Sequence, residues 1–485
     1  MKYLHFDSRA LALMRMCIAA VILLDLGIRC TDLEVFYTDK GVTPLSMIFQ
    51  HDWNNYFISL HAMSGLWIVQ LMLFGIAFFC AAMMFIGYRT RLFTFLSWAM
   101  MLSLHNRNLL ILQGGDDLLR LVLFWGLFIP WGDRYSCDHI LAKTATAPQI
   151  LTVATIGYLL QLSYIYTGSA LLKGPEWHSD HTALYYAYSL DQIAYPFSRH
   201  IYYYPELLKK LTFFVFYFEL LVPLLFFIPY KHSFFRTIAA VSIMIFHFFN
   251  SMSLLIGLFP AIGIATVTGI LPGPFMDWLE RITKGIRDRV ISSFTGYATL
   301  IATFIPWRMP KQSTHPFIKN ISTAALIFLI VFVFDWNFSN LSFVNSRLSD
   351  DLRFVGYGLR LDQSWGMFAP SVFKDDGWYI LEGKTKKGQV IDLLQDGQTV
   401  SYKKPGYIAY MFKNDRWRKY SENYLFADNS YMRYYFASYY LRQWNENHPE
   451  KQIDTLNIVY MKEFTLPDYK YSKPERQRLI SCHRQ

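Results

Sequence analysis

The sequence predicts a polytopic α-helical membrane protein of about nine transmembrane helices, followed by a C-terminal extramembrane domain rich in β-structure. Three observations predict it. Of 485 residues, 53% are hydrophobic and only 17% charged, and the mean hydropathy of +0.20 lies outside the soluble range. Apolar runs of about 20 residues recur through the first two thirds of the chain, long enough to cross the hydrocarbon core as helices. From about residue 337 these runs shorten and Gly, Asp, Lys and Tyr rise.

The first run, residues 10–29, is expected to stay as a helix, because it holds Arg15 and Asp25 and lacks the small-residue site of a cleavable signal. Further runs lie at 66–87, 92–106, 118–132, 150–172, 210–229, 237–256, 258–274 and 318–336, of which 92–106, 118–132 and 258–274 are short or interrupted. Residues 277–316 read as a loop with an amphipathic piece, "ISSFTGYATLIATFIPW". The expected division is a membrane domain over 1–336 and an outer domain over 337–485. In the latter, "GWYILEGKTKKGQVIDLLQDGQTVSY" alternates like strands broken by Lys-Gly and Asp-Gly turns, and "NSYMRYYFASYYLRQWNEN" spaces its aromatics like a helix.

Orientation follows from the loops. Lys2, Arg9, Arg89, Arg91, Arg134, Lys143, Lys231, Arg236 and the segment "RITKGIRDRV" fall on one side if the chain crosses an odd number of times. By the positive-inside rule that side is cytoplasmic, and everything after residue 337 faces outward, into the periplasm if the source is Gram-negative. Cys30 and Cys482 share the predicted outer side, where an oxidising compartment would let them pair. The five cysteines show no metal-binding spacing, so no metal is predicted, and the net charge of +10 is mostly topogenic, with no nucleic-acid module.

Ionisable groups inside spans are costly, which makes each one a candidate site. Arg15 and Asp25 lie ten residues apart on roughly one face of the first helix, and Glu219 sits mid-span before Pro223. All three read as structural intramembrane groups. His247, Asn250 and Ser251 fall at i, i+3 and i+4 and predict the polar wall of a cavity. The stretch "LHNRNLLILQGGDDLL" brings Asn106, Asp116 and Asp117 to the same level, as an outer loop or as backbone lining a cavity. Lys173 closes an apolar run, four residues before Trp177 and five before His178. It is either a snorkelling lysine or an amine in a dry pocket able to take a proton.

Taken together, "RMCIAAVILLDLGIRCTDLEVFYTDKGVTP", "GGDDLLRLVLFWGLFIPWGDRYSCD", "TGSALLKGPEW", "FHFFNSMSLLIGLFP" and "SWGMFAP" resemble the vitamin K-dependent gamma-carboxylase-like family, whose membrane part is the HTTM domain. The resemblance implies a quinol-dependent enzyme. In it, Lys173 would deprotonate reduced vitamin K or a menaquinol-type hydroquinone, and His247 would be a pocket histidine. O2 and CO2 would be co-substrates for quinone epoxidation and glutamate carboxylation. Trp177, His178, Asn250, Ser251, Asn106, Asp116 and Asp117 would line the quinone pocket. The partners implied are the lipid bilayer, an isoprenoid quinone, and a secreted peptide or protein with glutamates. The chain departs from the animal carboxylases in having Gly and Asp at "LQGGDDLL", where those enzymes have a histidine. The alternative is a non-catalytic membrane protein for maturing, exporting or giving immunity to a secreted peptide. A transporter is disfavoured, since the halves show no inverted-repeat symmetry.

Overall fold

A computed structural model describes residues 2–142, 146–285, 298–305, 316–341 and 350–484, with residues 296 and 344 besides. The chain is mostly helical up to residue 339 and carries an antiparallel sheet between residues 375 and 483. The main helices are α1 (Ser8–Cys30), α2 (Trp67–Ile86), α3 (Thr90–Arg107), α4 (Gly114–Gly126), α5 (Val153–Leu172), α6 (Pro205–Leu221), α7 (His232–Ser253), α8 (Phe259–Val267), α9 (Gly273–Ile282) and α10 (Pro316–Ser339). The protein is an integral membrane protein: α1, α2, α7 and α10 are each long and apolar enough to cross a bilayer. A fifth crossing is available if α8 and α9, bent by 110° at a break, count as one.

Thus four or five of the nine expected spans meet the length and hydropathy of a crossing. Among the rest, α4 and α6 are short, and α3 and α5 are diluted by polar residues. The physical reason is shielding. α3 lies between α2 and α4, and α5 between α6 and α10, so neighbours rather than lipid cover their polar side chains.

Local chemistry sets the boundaries. Asp7 caps α1 by accepting from the Arg9 amide at 2.8 Å, and strand β1 (Phe6–Asp7) pairs with β2 (Gln149–Ile150), tying the start of α1 to the start of α5. Residues 114–117 form neither an outer loop nor irregular backbone. They open α4, because Gln113 and Asp116 make a reciprocal cap, the Gln113 amide donating to Asp116 Oδ2 at 2.9 Å. α6 ends where Pro223 enters a short 3₁₀ turn.

The two ends of the helical body differ. At one end Arg9 reaches Asp277 and Glu280, both at 2.8 Å, Arg236 donates to the His5 carbonyl at 2.7 Å, and the Arg89 amide donates to Asp138 at 2.8 Å. At the other end the sheet region docks. Lys413 pairs with Asp32 at 2.7 Å, the Tyr420 hydroxyl donates to the Val42 carbonyl at 3.1 Å, and Gln192 donates to the Gly377 carbonyl at 2.9 Å.

In the sheet, β3 (Asp375–Thr385) pairs with β4 (Val390–Asp392) and with β6 (Ile453–Leu466). β4 pairs with β5 (Gln398–Thr399), and β6 with β7 (Lys470–Tyr471) and β8 (Glu475–His483). The β3–β6 register runs from Asp375↔Phe464 to Thr385↔Ile453. Alternation sorts β3: Tyr379 and Leu381 join the main core, while Trp378 and Ile380 join a small cluster with Ile408 and Val459. The expected glycine turns appear at Gly388 and Gly397, with φ of +82° and +75°. Helices α11 (Asp415–Asn423) and α12 (Met432–Asn447) follow, α12 covering β6 and β8.

Two expectations need a correction or a boundary. Cys30 and Cys482 are both free thiols, since Cys482 is fixed on β8 beside Ser438 and Cys30 ends α1. Of "ISSFTGYATLIATFIPW", only residues 296 and 298–305 are described, helical as far as residue 304; the remainder, Lys143 and the second half of "RITKGIRDRV" lie outside the described residues.

Candidate functional site

The last turns of α5 place Tyr166, Ser169 and Lys173 along one face. The chain then turns at Gly174, whose amide donates to the Pro370 carbonyl at 2.7 Å; a Cβ there would itself lie 2.7 Å from that oxygen. This contact brings residues 362–374 across the end of α5, and the indole of buried Trp177 donates to the Phe368 carbonyl at 2.8 Å.

Lys173 is buried and fully engaged. Its ammonium pairs with Glu219 of α6, donates to Ser169 Oγ at 3.2 Å and stands 4.4 Å from the centre of the Trp177 ring. Ser169 Oγ in turn donates to Glu219 Oε2 at 3.1 Å. Lys173 is therefore no snorkelling lysine but the cation of a desolvated ion pair, and Glu219 belongs to the same site.

His247 of α7 stands beside this pair, buried, with Nε2 3.0 Å from the Tyr166 hydroxyl and its ring edge-on to Phe259. Only glycine fits opposite it: a Cβ on Gly263 of α8 would meet the imidazole at 2.3 Å. His247 Nδ1 has no partner among the described residues. Lys173, Trp177, Glu219, His247, Asn250 and Asp117 line a cavity of ≈ 1080 Å³ between the ends of α4 to α7, residues 360–376 and the sheet.

Other predicted pocket residues lie elsewhere. Ser251 is exposed and bonds the Phe248 carbonyl of its own helix at 2.6 Å, because the cavity is on the Asn250 side of His247. His178 is exposed, 2.9 Å from Ser179 Oγ. Asn106 holds the Ile58 carbonyl at 3.0 Å and accepts from Arg360. Arg15 and Asp25 do not meet: Arg15 donates to the carbonyls of Phe85 at 2.9 Å and Trp131 at 3.2 Å.

Asp116 and Asp25 anchor a second cluster. Asp116 accepts from Arg29 at 2.6 Å and from Arg416 of α11 at 2.8 Å, and Asp25 accepts from the same two arginines at 2.7 and 2.9 Å. His105 Nε2 lies 3.4 Å from Asp116. Asp25, His105 and Asp116 have donor atoms within 4.8 Å of one another, a spacing a metal would accept. Here two guanidinium groups already occupy the carboxylates. Sequence reasoning passed over Arg29 and Arg416; the one local signal was the i, i+4 spacing of Asp25 and Arg29.

The membrane-domain geometry can be set beside known families. The family model described as the lipase maturation factor transmembrane domain matches residues 9–271, more than half of the chain. The chain belongs to that family. No curated protein and no solved structure matches it. Membership overturns the resemblance to the vitamin K-dependent carboxylases, since the match covers the first four of the segments on which that resemblance stood. In this lipase maturation factor family member those segments have plain structural work. "GGDDLLR" opens α4 and anchors the arginine cluster, and "SALLKGPEW" ends α5 with a paired lysine. The expected carboxylase chemistry, with Lys173 as base, is withdrawn.

Proposed function

We propose that the chain is a non-catalytic membrane factor that assists the maturation of a secreted lipase. The family match over residues 9–271 carries this reading. The pairing of Lys173 with Glu219 supports it, because an ammonium engaged on a carboxylate, a hydroxyl and a ring face serves as a fixed cation.

In this reading residues 1–336 form the membrane domain, with about nine crossings, and residues 337–485 meet the client outside the cytoplasm. Support comes from Arg9, Arg89, Arg134 and Arg236, which lie at the end of the helical body remote from the sheet. Helices too short or polar to cross alone would cross as inner members of the bundle.

Co-expression with a secreted lipase tests the proposal. The specific activity of exported lipase should rise with this chain and fall to background without it, at equal lipase mRNA. Equal specific activity in both strains would refute the proposal. A reporter fused behind Arg484 should be active only outside the cytoplasm.

A further inference from the structure

The cavity asks for an occupant of its own, independent of the maturation role. One part of its wall is apolar, with Leu112, Ile165, Phe246, Leu254, Phe259 and Met367, and another is charged, with Asp117, Arg360, Asp376 and Arg418, so the cavity is amphipathic. At ≈ 1080 Å³ it lies at the upper end of small-ligand sites, with room for a chain-bearing amphiphile. Beside His247 the charge is balanced locally, because Lys173 and Glu219 neutralise one another. Among the described residues that line it, the buried side-chain atom left without a partner is His247 Nδ1.

Which kind of atom that is follows from its neighbour. Among the described residues the Tyr166 hydroxyl has His247 Nε2 as its hydrogen-bond partner, and donation to Nε2 satisfies the phenol proton, where the reverse direction would leave that proton unpaired as well. Nε2 is then the acceptor, and Nδ1 carries the ring proton with nothing to receive it. A buried donor without an acceptor costs about 1–3 kcal/mol, which a ligand oxygen would relieve. Next to His247 the one cation, Lys173, is already held by Glu219, which favours a neutral acceptor over a carboxylate there, and the apolar part of the wall favours one attached to a hydrocarbon chain.

We infer that this cavity binds a lipid acyl ester, with the ester carbonyl accepting from His247 Nδ1–H and the chain lying along the Phe246, Leu254 and Phe259 wall. Two sources share that chemistry, an acylglycerol and a membrane phospholipid.

The full chain, purified in dodecyl maltoside, which carries no ester, is incubated with dioleoylglycerol, dioleoylphosphatidylglycerol, oleic acid or menaquinone, and retained probe is read by native mass spectrometry. Retention of either ester lipid in preference to oleic acid and menaquinone is the expected result, and the preferred ester names the source. His247→Phe should weaken ester binding about tenfold or more, as loss of a buried hydrogen bond does. Leu112→Trp narrows the apolar part of the cavity without touching the polar groups and should weaken binding at an unchanged melting midpoint, so it decides the matter if His247→Phe does not fold. Preference for oleic acid or menaquinone, or ester binding unchanged in Leu112→Trp, overturns the inference.

Discussion

Two of the buried charged regions in the helical body differ in how completely they are closed. In the cluster of Asp25, Arg29, Asp116 and Arg416, two carboxylates meet two guanidinium groups, and each carboxylate accepts from both arginines. In the region of Lys173, Glu219 and His247, one ion pair is closed, but the histidine beside it keeps a ring nitrogen unpaired against a cavity. The first region joins parts of the chain 391 residues apart and acts as a clasp. The second has a space and an unfilled donor, which is what a binding site needs. Buried charge alone does not distinguish structure from site; here the space beside the second region, together with its unpaired ring nitrogen, does.

The clasp should be the more sensitive to single substitution. Arg416→Ala would leave Asp25 and Asp116 sharing Arg29 alone, so an uncompensated carboxylate remains buried, at a cost of about 3–5 kcal/mol. The expected outcome is a large fall in the melting midpoint in detergent, with new protease cuts in residues 350–484. A midpoint equal to wild type would dissolve the distinction between clasp and cavity.

This clasp also shows what was legible in the sequence. The class was, because apolar runs and the +0.20 mean hydropathy need no tertiary information. So were the strand alternation and glycine turns of residues 377–402 and the helix around Tyr434 to Trp444, which are local patterns. The polar wall was partly legible: helical spacing put His247 and Asn250 together but could not say which flank faced the cavity, so Ser251 was wrongly included. Partnerships across the fold were not legible. Nothing near Lys173 announces Glu219, 46 residues away, and nothing near Asp116 announces Arg416, 300 residues away. The family was misread because the short segments that carried the resemblance, rich in Gly, Asp and Trp, serve in this chain as caps and anchors.

At the cavity the pair itself can be tested by a cycle. Lys173→Met alone strands Glu219 and should cost about 3 kcal/mol, whereas Lys173→Met with Glu219→Leu removes both charges and should recover most of it. Thermal unfolding in detergent reads the stability, and exported lipase activity reads the function. Both should return together in the double variant. A double variant that folds normally yet loses lipase maturation would make Lys173 a working residue rather than a held one.

The sheet offers a smaller, pH-dependent contrast. Burial, with the charge of Asp191 adding to it, pushes the Asp376 carboxyl up to about 7. An unfolded aspartate titrates near about 4, so between about 4 and about 7 the folded state binds more protons than the unfolded one. Stability from this residue is therefore present in full below about 4, is lost as pH rises through about 7, and is level above. Asp376→Asn should flatten that slope and raise stability at pH 8 by about 1–2 kcal/mol. Melting midpoints between pH 5 and 8 would check it, and an unchanged slope would remove Asp376 as the cause.

The smallest effect separates two neighbours on α7. Asn250 lines the cavity and is half-buried, while Ser251, one residue on, is exposed and turns its hydroxyl back to its own helix. Ser251→Ala loses a bond that solvent or lipid headgroups replace, so stability and ester binding should stay within about 0.5 kcal/mol of wild type. Asn250→Leu, by contrast, changes the polarity of the wall three residues from His247, and should alter ester binding measurably with little change in stability. Equal effects of the two substitutions on binding would mean that the cavity opens across both flanks of α7, and the sided wall drawn from His247 and Asn250 would have to be redrawn.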